Sequence, residues 1–518
     1  MARPFSRLTA MGIALLWMTA ACGAGQTAEP GAGGDDDGGG DGGDGGEATS
    51  LAVGFAAEPA NLDFTQTDGA AIPEALLVNV YEGLVKIDQD GEIQPLLAES
   101  VEVSDDRTTY DFMLREDVTF TNGEPFTAED VKFSIERVQS DEWTISLKQA
   151  MDVVDSVEVI SEDHARVTLG EPSNRWLFQM TTRIGAMFSR EGVDDLANEP
   201  IGTGPYLLDD WVRGDRLVLE RNPDYWGDAP AVQTVTLRYF DDPTALNNAL
   251  LSGGIDVIGT VQAPEALEQF SDEDTYQIIE GTTNGEVVLS FNNSRAPLDD
   301  RLVRQAIKHA IDHEAVLETA WAGRGMLIGS MVPPHDPWYE DLTDVYPYDP
   351  DRAQQLLDEA GATDVELAFR IPNLPYAVSA AQVVQSQLEE VGITADIDVL
   401  EFPAVWLEEV FTNADYDMSI ISHVEPRDMN TFGDPDYYWR YDNEEVQRLL
   451  DEADSADEAT RDENMRAVAR IIAEDAAADW LFLLPNLIAA KTSVDGLPQN
   501  RVGEAFDLTT LSVSAASG

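Results

Sequence analysis

The sequence predicts an α/β protein with at least two lobes joined by several chain crossings. Three observations carry that reading. The second half alternates β-rich runs with amphipathic helical runs, the pattern of helices packed on a sheet. The first half holds short β-runs paired about turn signals. With 518 residues, 43% hydrophobic, and a single cysteine, the chain can bury a sizeable core without disulfides.

Arg3 and Arg7 precede an apolar run, Leu8–Ala21. It is too short to span a bilayer as a helix and suits the core of a secretory signal covering residues 1–21. Cys22 follows the small residues Ala20 and Ala21. Residues 23–50, "GAGQTAEPGAGGDDDGGGDGGDGGEATS", have no apolar periodicity and no face to bury, so disorder is expected there. A Gly-rich coil of that length spans roughly 30 Å. No later stretch reaches the about 18 unbroken apolar residues of a membrane span.

The body begins near Leu51. "SLAVGFA" reads as a strand, and "PEALLVNVYEGLVKI" as a helix, started by Pro73, running into a strand. "VEVSDDRTTYDFMLRE" is a hairpin about Ser104-Asp105-Asp106. "TAEDVKFSIERV" is a short helix capped by Thr127, with Val131, Phe133, Ile135 and Val138 as its apolar positions. "VDSVEVISEDHARVTLGE" is a second hairpin, with His164 in its turn. A third hairpin turns at Arg213-Gly214-Asp215. "TVTLRYFDDPTALNNALLSGGIDVIGT" reads strand, helix, strand, the helix stopped at Gly253-Gly254.

Further on, "PLDDRLVRQAIKHAIDHEAVLETAW" puts Leu302, Val303, Ala306, Ile307, Ala310 and Ile311 on one helical face. From Asp364 to Ser422, strands and helices alternate, which predicts a largely parallel sheet. Residues 444–478 are mostly helical, and "LFLLPNLIAAK" starts β-like segments that return toward the first lobe.

Asp and Glu number 98 against 31 Lys and Arg, a formal net charge of −67. Phosphate backbones and anionic lipid surfaces are repelled by such a chain, which argues against nucleic-acid partners. Self-repulsion of this size weakens a compact state at low salt, which fits a saline habitat or a merely acidic exported protein with a solvated surface. Enzyme signatures are missing: there is no G-x-S-x-G elbow, no phosphate-cradling glycine loop and no His-Glu-x-x-His order. His309 and His313 lie four apart on a helix face that is otherwise core, so neither is assigned to a metal. No cofactor is expected.

One stretch clusters charge with aromatic surface: "SHVEPRDMNTFGDPDYYWRYDN", residues 422–443. It leaves the carboxyl end of the strand "YDMSII", where open α/β sheets bind ligands. Glu425, Arg427 and Asp428 supply charge, and Tyr437, Tyr438 and Trp439 supply flat amphipathic surface.

"SVEVSDDRTTYDFMLREDVTFTNGEPFTAEDVKFSIERV" resembles the signature region of the bacterial extracellular solute-binding proteins of family 5, the dipeptide-, oligopeptide- and nickel-binding components of ABC importers. Matches continue in the family's order: "EPANLDF", "YEGLV", "IGTGPYLL", "ERNPDYWG", "GGIDV", "SFNNSRAPLDDRLVRQAIKHAID", "YDPDRAQQLLDEAG" and "QSQLEEVGI". The surroundings of Cys22 resemble a lipoprotein signal, with Thr19 where a leucine is usual. The resemblance implies a two-lobed periplasmic-binding-protein-like α/β fold that closes, by a hinge, over an interlobe cleft. Lobe I is expected at 51–80, 200–280 and 490–518, with an inserted subdomain at 81–199, and lobe II at 281–489. It further implies a monomeric, lipid-anchored protein on the outer face of the cell membrane, delivering its ligand to importer permease subunits.

Peptide-binding members pair the ligand's amino terminus with an aspartate three residues after a tryptophan. Here that stretch is "SHVEPRDMN", without the tryptophan, and Glu425 and Asp428 are the candidate acids. Dipeptide binders hold the carboxylate with an arginine before a Pro-Tyr pair. Leu374 stands there, before Pro375-Tyr376, leaving Arg370 or Arg427 as substitutes. His423, Tyr376, Asn292 and Trp439 complete the candidate ligand-binding set. An oligopeptide held mainly through its backbone is the first expectation. The alternatives are a cationic or amine-bearing solute, a metal chelate, a sensor-coupled binding module, and a hydrolase.

Overall fold

The computed structural model describes residues 49–514, Asp68 apart. The signal-like run, Cys22 and nearly all of the glycine tract lie outside the described residues. Ser50, expected at the tract's end, already belongs to the first strand, Ser50–Phe55.

A seven-stranded sheet gathers distant parts of the chain. Its order is Tyr276–Gly281, Asn486–Lys491, Val257–Ile258, Ser50–Phe55, Thr234–Tyr239, Arg216–Arg221, Tyr206–Val212. The first strand is parallel to both Thr234–Tyr239 and Val257–Ile258. The helix Pro243–Leu251 makes the crossover between those two. Proline stands at its start, Asp242 caps it by accepting the Ala245 N–H, and Leu246 and Leu250 face the sheet's core.

A separate four-stranded antiparallel sheet contains Ala98–Val103, Thr109–Leu114, His164–Leu169 and Val154–Ser161, in that order. The helix Ala128–Gln139 packs beside it, and the Asp130 carboxylate accepts both the N–H and the O–H of Thr127 at its start. His164 is not in the turn. It opens a strand and lies 2.7 Å from Asp111 on the neighbouring strand Thr109–Leu114, diagonal to its register partner Met113. Both sheets share one apolar core.

Three motifs from distant sequence meet in this half. Glu82 is buried and accepts from Thr203 Oγ1, Tyr225 OH and Trp226 Nε1 at 2.8–2.9 Å. Burial outweighs these bonds and pushes its carboxyl up to about 7.

The five-stranded sheet runs Ile393–Leu400, Val365–Pro372, Met418–His423, Glu286–Phe291, Ala478–Leu483. Only half of its pairings are parallel, not most. Ile393–Leu400, Val365–Pro372 and Met418–His423 pair in parallel, whereas Glu286–Phe291 is antiparallel to both neighbours. The reason is connectivity. Tyr276–Gly281 leads into Glu286–Phe291, and Ala478–Leu483 leads back into Asn486–Lys491. In each sheet these segments pair with one another antiparallel. One antiparallel ribbon thus threads both sheets, and the lobes are joined by two adjacent crossings rather than several. Leu484 N–H donates to Gly285 O, and Thr283 Oγ1 donates to Leu484 O, across the ribbon between the sheets.

Lobe-two cores lie on the two faces of this sheet. The stretch expected to put Leu302 to Ile311 on one helical face forms two helices, Arg301–Ala310 and His313–Trp321, with Ile311 between them. Ile311 is extended, and Asp312 caps the second helix through Ala315 N–H. Lys308 and His313, one from each helix, converge on buried Asp479 at 2.7 and 3.0 Å. His309 instead contacts Pro347 O, so the two histidines share no ligand. Burial raises the Asp479 carboxyl, but the fields and hydrogen bonds of His313 and Lys308 overrule it and hold it well below the usual range.

Candidate functional site

The strand Met418–His423 ends where the chain turns toward the other lobe. Its last residue, His423, pairs with Glu286, the first residue after the ribbon crossing. An acid is thereby fixed beside the ligand-loop candidates by sheet register alone.

His423, Glu425 and Asp428 come together, their nearest donor atoms within 4.8 Å of one another. His423 and Asp428 are buried, whereas Glu425 is exposed. His423 Nε2 is 2.9 Å from Tyr438 OH, which in turn is 2.7 Å from Ser290 Oγ. This chain sets the ring's plane. His423 Nδ1 is 3.2 Å from Asp428 Oδ2, a close approach whose angle falls short of a hydrogen bond.

Electrostatically the cluster is overloaded with acid. Asp428 Oδ2 and Glu286 Oε2 are buried with no hydrogen-bond donor among the described residues. Burial raises the Asp428 carboxyl above its usual value, with Glu425 adding to the shift and His423 opposing it. Burial also pushes Glu286 well up, and the charges of Asp428, Asp336 and Glu425 push it further. Burial lifts the Asp336 carboxyl to about 6. Such an arrangement favours any group that brings positive charge and hydrogen-bond donors, an ammonium or a metal ion.

Arg427 does not neutralise the cluster. Its Nε lies 3.5 Å from Asp336 Oδ1, and Nη2 donates to Gly91 O at 3.4 Å. Its guanidinium sits 3.9 Å above the Phe178 ring and 4.9 Å from that of Trp338. Gly91 and Phe178 belong to the first half of the chain, so Arg427 reaches across the junction of the two lobes.

Of the other candidates, Arg370 and Asn292 are committed elsewhere, whereas Trp439 and Tyr376 pack beside the cluster, the Trp439 ring 5.1 Å from that of His423 and Tyr376 against Ser422. Arg370 is paired with Glu409 at 2.9 Å and Asp415 at 3.1 Å. Asn292 spends its amide on Ala414 O and Tyr416 O, at the far end of the strand from Glu286. Trp439 is fully buried and stacked on Phe432, ring centroids 4.3 Å apart, because the aromatic run is core. Tyr376 accepts the Ser422 N–H at 2.9 Å, and burial raises its phenol to about 12. Sequence reasoning missed Glu286 and Asp336, and it read Tyr438 as surface where the structure makes it a buried partner of His423. A charged residue opening the apolar run "EVVLSF" was the available signal for Glu286.

A two-lobed α/β body, threaded by an antiparallel ribbon and carrying an acidic cluster where the lobes meet, defines the class of clamp-like binding proteins. The chain belongs to the bacterial extracellular solute-binding proteins, family 5, whose model matches residues 92–445. It is 28% identical over 349 residues to the nickel-binding periplasmic protein of Escherichia coli, covering 62% of this chain and 65% of that one. It is 31% identical over 334 residues to a putative ABC transporter peptide-binding protein of Brucella ovis, covering 61% and 62%. The matches thus span under two thirds of these relatives' length. The fold superposes on an ABC transporter substrate-binding protein of Listeria monocytogenes with a TM-score of 0.80, 22% identity, and coverage of 90% and 99%. Among the described residues no helix is long and apolar enough to cross a membrane.

Proposed function

We propose that this chain is the extracytoplasmic solute-binding component of an ABC importer. Its solute is an oligopeptide whose amino-terminal ammonium enters the His423–Glu425–Asp428 cluster. One observation carries the choice: two desolvated carboxylate oxygens, on Asp428 and Glu286, lie without donors where the lobes meet. An ammonium brings three donors and a positive charge to that spot. The Brucella relative's description as a peptide-binding protein supports the class of solute.

Arg370 favours a second reading. Its ion pairs with Glu409 and Asp415 leave it no role as a clamp for a ligand carboxylate. An amine-bearing solute without a carboxylate therefore fits equally well, and a longer peptide held through its backbone fits better than a free dipeptide. We further infer that residues 51–80, 200–280 and 490–518 form lobe I, with 81–199 inserted, and 281–489 form lobe II. Cys22 is the lipid attachment point, and the tether holds the body near its permease. Globomycin-resistant maturation would exclude that anchor.

The test is native mass spectrometry of gently purified protein, followed by calorimetry with tetraalanine and N-acetyl-tetraalanine. The expected result is a co-purifying peptide mass, and at least tenfold weaker binding of the acetylated probe. Equal affinity for the two probes overturns the ammonium reading.

A further inference from the structure

The inserted subdomain and lobe two meet through two helix ends that complete each other's hydrogen bonding. The helix Asn174–Gln179 follows the four-stranded sheet, and Ser173 begins it. The helix Glu444–Ser455 belongs to the lobe-two core, through Leu449, Leu450 and Ala453. At the contact, Asp454 accepts the Ser173 hydroxyl at 3.0 Å and the Arg175 backbone N–H at 2.9 Å. Asn174 Nδ2 donates to Ala453 O and Ala456 O, both at 2.8 Å. Those two carbonyls stand at the end of the Glu444–Ser455 helix, where carbonyls lack partners within the helix. Arg107 binds Asn174 Oδ1, which fixes the amide with its nitrogen toward the carbonyls. One lobe thus satisfies an N–H and the other a pair of carbonyls. The Arg175 side chain adds an ion pair to Asp454 at 3.2 Å, but it is 60% exposed and contributes little.

A second contact adjoins the first. Phe178 is 3% exposed yet belongs to none of the four apolar cores. Its cover comes from across the junction: the Arg427 guanidinium lies 3.9 Å above the ring, and one pocket is lined by Phe178, Arg427, Leu450, Asp454 and Met465. Separation of the lobes strips Phe178 of that cover and Asn174 and Asp454 of their partners together.

We propose that Asn174, Asp454 and the Phe178–Arg427 stack form a latch by which the inserted subdomain sets the stability of the closed clamp. These residues tune ligand affinity without touching the ligand. Ser173 and Arg107 position the latch, and Arg427 ties it to the acidic cluster through its neighbour Asp428.

The latch is tested by hydrogen–deuterium exchange and small-angle scattering on the full chain, without ligand, for wild type, Asp454→Ala, Asn174→Ala and Phe178→Ala. Exchange at the Arg175 amide is expected to be slow in wild type and about tenfold faster in Phe178→Ala and Asn174→Ala, which keep its acceptor Asp454, with a larger radius of gyration in all three variants; Asp454→Ala, which removes that acceptor, is read by the radius alone. Exchange in the strand 286–291 should stay unchanged, which separates opening from unfolding; Asn174→Ala keeps the test alive if Phe178→Ala fails to fold. An Arg175 amide that exchanges equally fast in wild type and the folded variants that keep Asp454 overturns the proposal. Neither readout needs ligand, so failure of the oligopeptide reading leaves this test intact.

Discussion

Replacing Asp428 with asparagine removes the buried charge of the cluster while keeping its shape. The Asp428 side chain is 7% exposed. A hydrogen bond from an ammonium to such a carboxylate contributes about 1.5–3 kcal/mol, or about 10- to 150-fold in Kd. Glu425 is exposed, so water and salt screen its share to about 0–1 kcal/mol, under about fivefold. The two variants should therefore differ, Asp428→Asn losing far more than Glu425→Gln. The pH dependence carries an independent sign. Burial raises the Asp428 carboxyl in the ligand-free protein, and a bound cation favours its ionised form. Ligand binding then releases protons, and affinity falls as pH drops from neutral into the acid range. Asp428→Asn should flatten that slope, leaving the part due to Glu286. Calorimetry with tetraalanine across pH reads both effects. Unchanged affinity in both variants removes this loop from the site, and equal losses, or an unaltered pH slope in Asp428→Asn, refute the claim that burial sets the strength.

Other outcomes follow from charges elsewhere in the fold. Lys308→Met strands buried Asp479 with only His313 and should cost about 3–5 kcal/mol in urea unfolding at neutral pH; adding Asp479→Leu should recover most of it, and a loss below about 1 kcal/mol would show the pair is not needed. Glu82 rises from its usual 4.5 to about 7 on burial, so its ionisation costs wild-type stability as pH climbs through that window. Relative to wild type, Glu82→Gln should gain about 3 kcal/mol between pH 4 and pH 8, and a pH-independent difference would contradict the shift. The net charge of −67 predicts a melting midpoint that climbs from low to molar sodium chloride; a flat series would mean self-repulsion is unimportant.

Local patterns made most elements legible. The Thr127 cap and the Gly-bearing turn at Arg213–Asp215 lie where their chemistry places them. Long-range pairing did not show in any window. Nothing near "EVVLSF" says that its strand runs antiparallel between two neighbours, because that depends on a return crossing almost two hundred residues later. Several of the motifs behind the resemblance bolt parts of a lobe together. Thr203, Tyr225 and Trp226 hold Glu82, and Lys308 and His313 hold Asp479. The acidic loop was visible as charge after a strand, but its aromatics look the same in sequence whether they line a cleft or fill a core, and Tyr438 and Trp439 fill one.

The latch and the acidic cluster act on closure with opposite sign. Asn174 and Asp454 find water when the lobes part, so each of their hydrogen bonds contributes only about 0.5–1.5 kcal/mol net to closing. Glu286 and Asp428 pull the other way. Their pKa values are raised because enclosure removes water from carboxylates that already repel each other, and Arg427, turned toward Asp336, does not relieve them. A cation between them converts that opposing contribution into an attraction. The energy differential that a ligand must supply to shift a two-state clamp thus resides in the cluster, and the latch sets where the balance point falls. Weakening the latch should therefore lower affinity for every ligand alike, while neutralising the cluster should lower it for cations only.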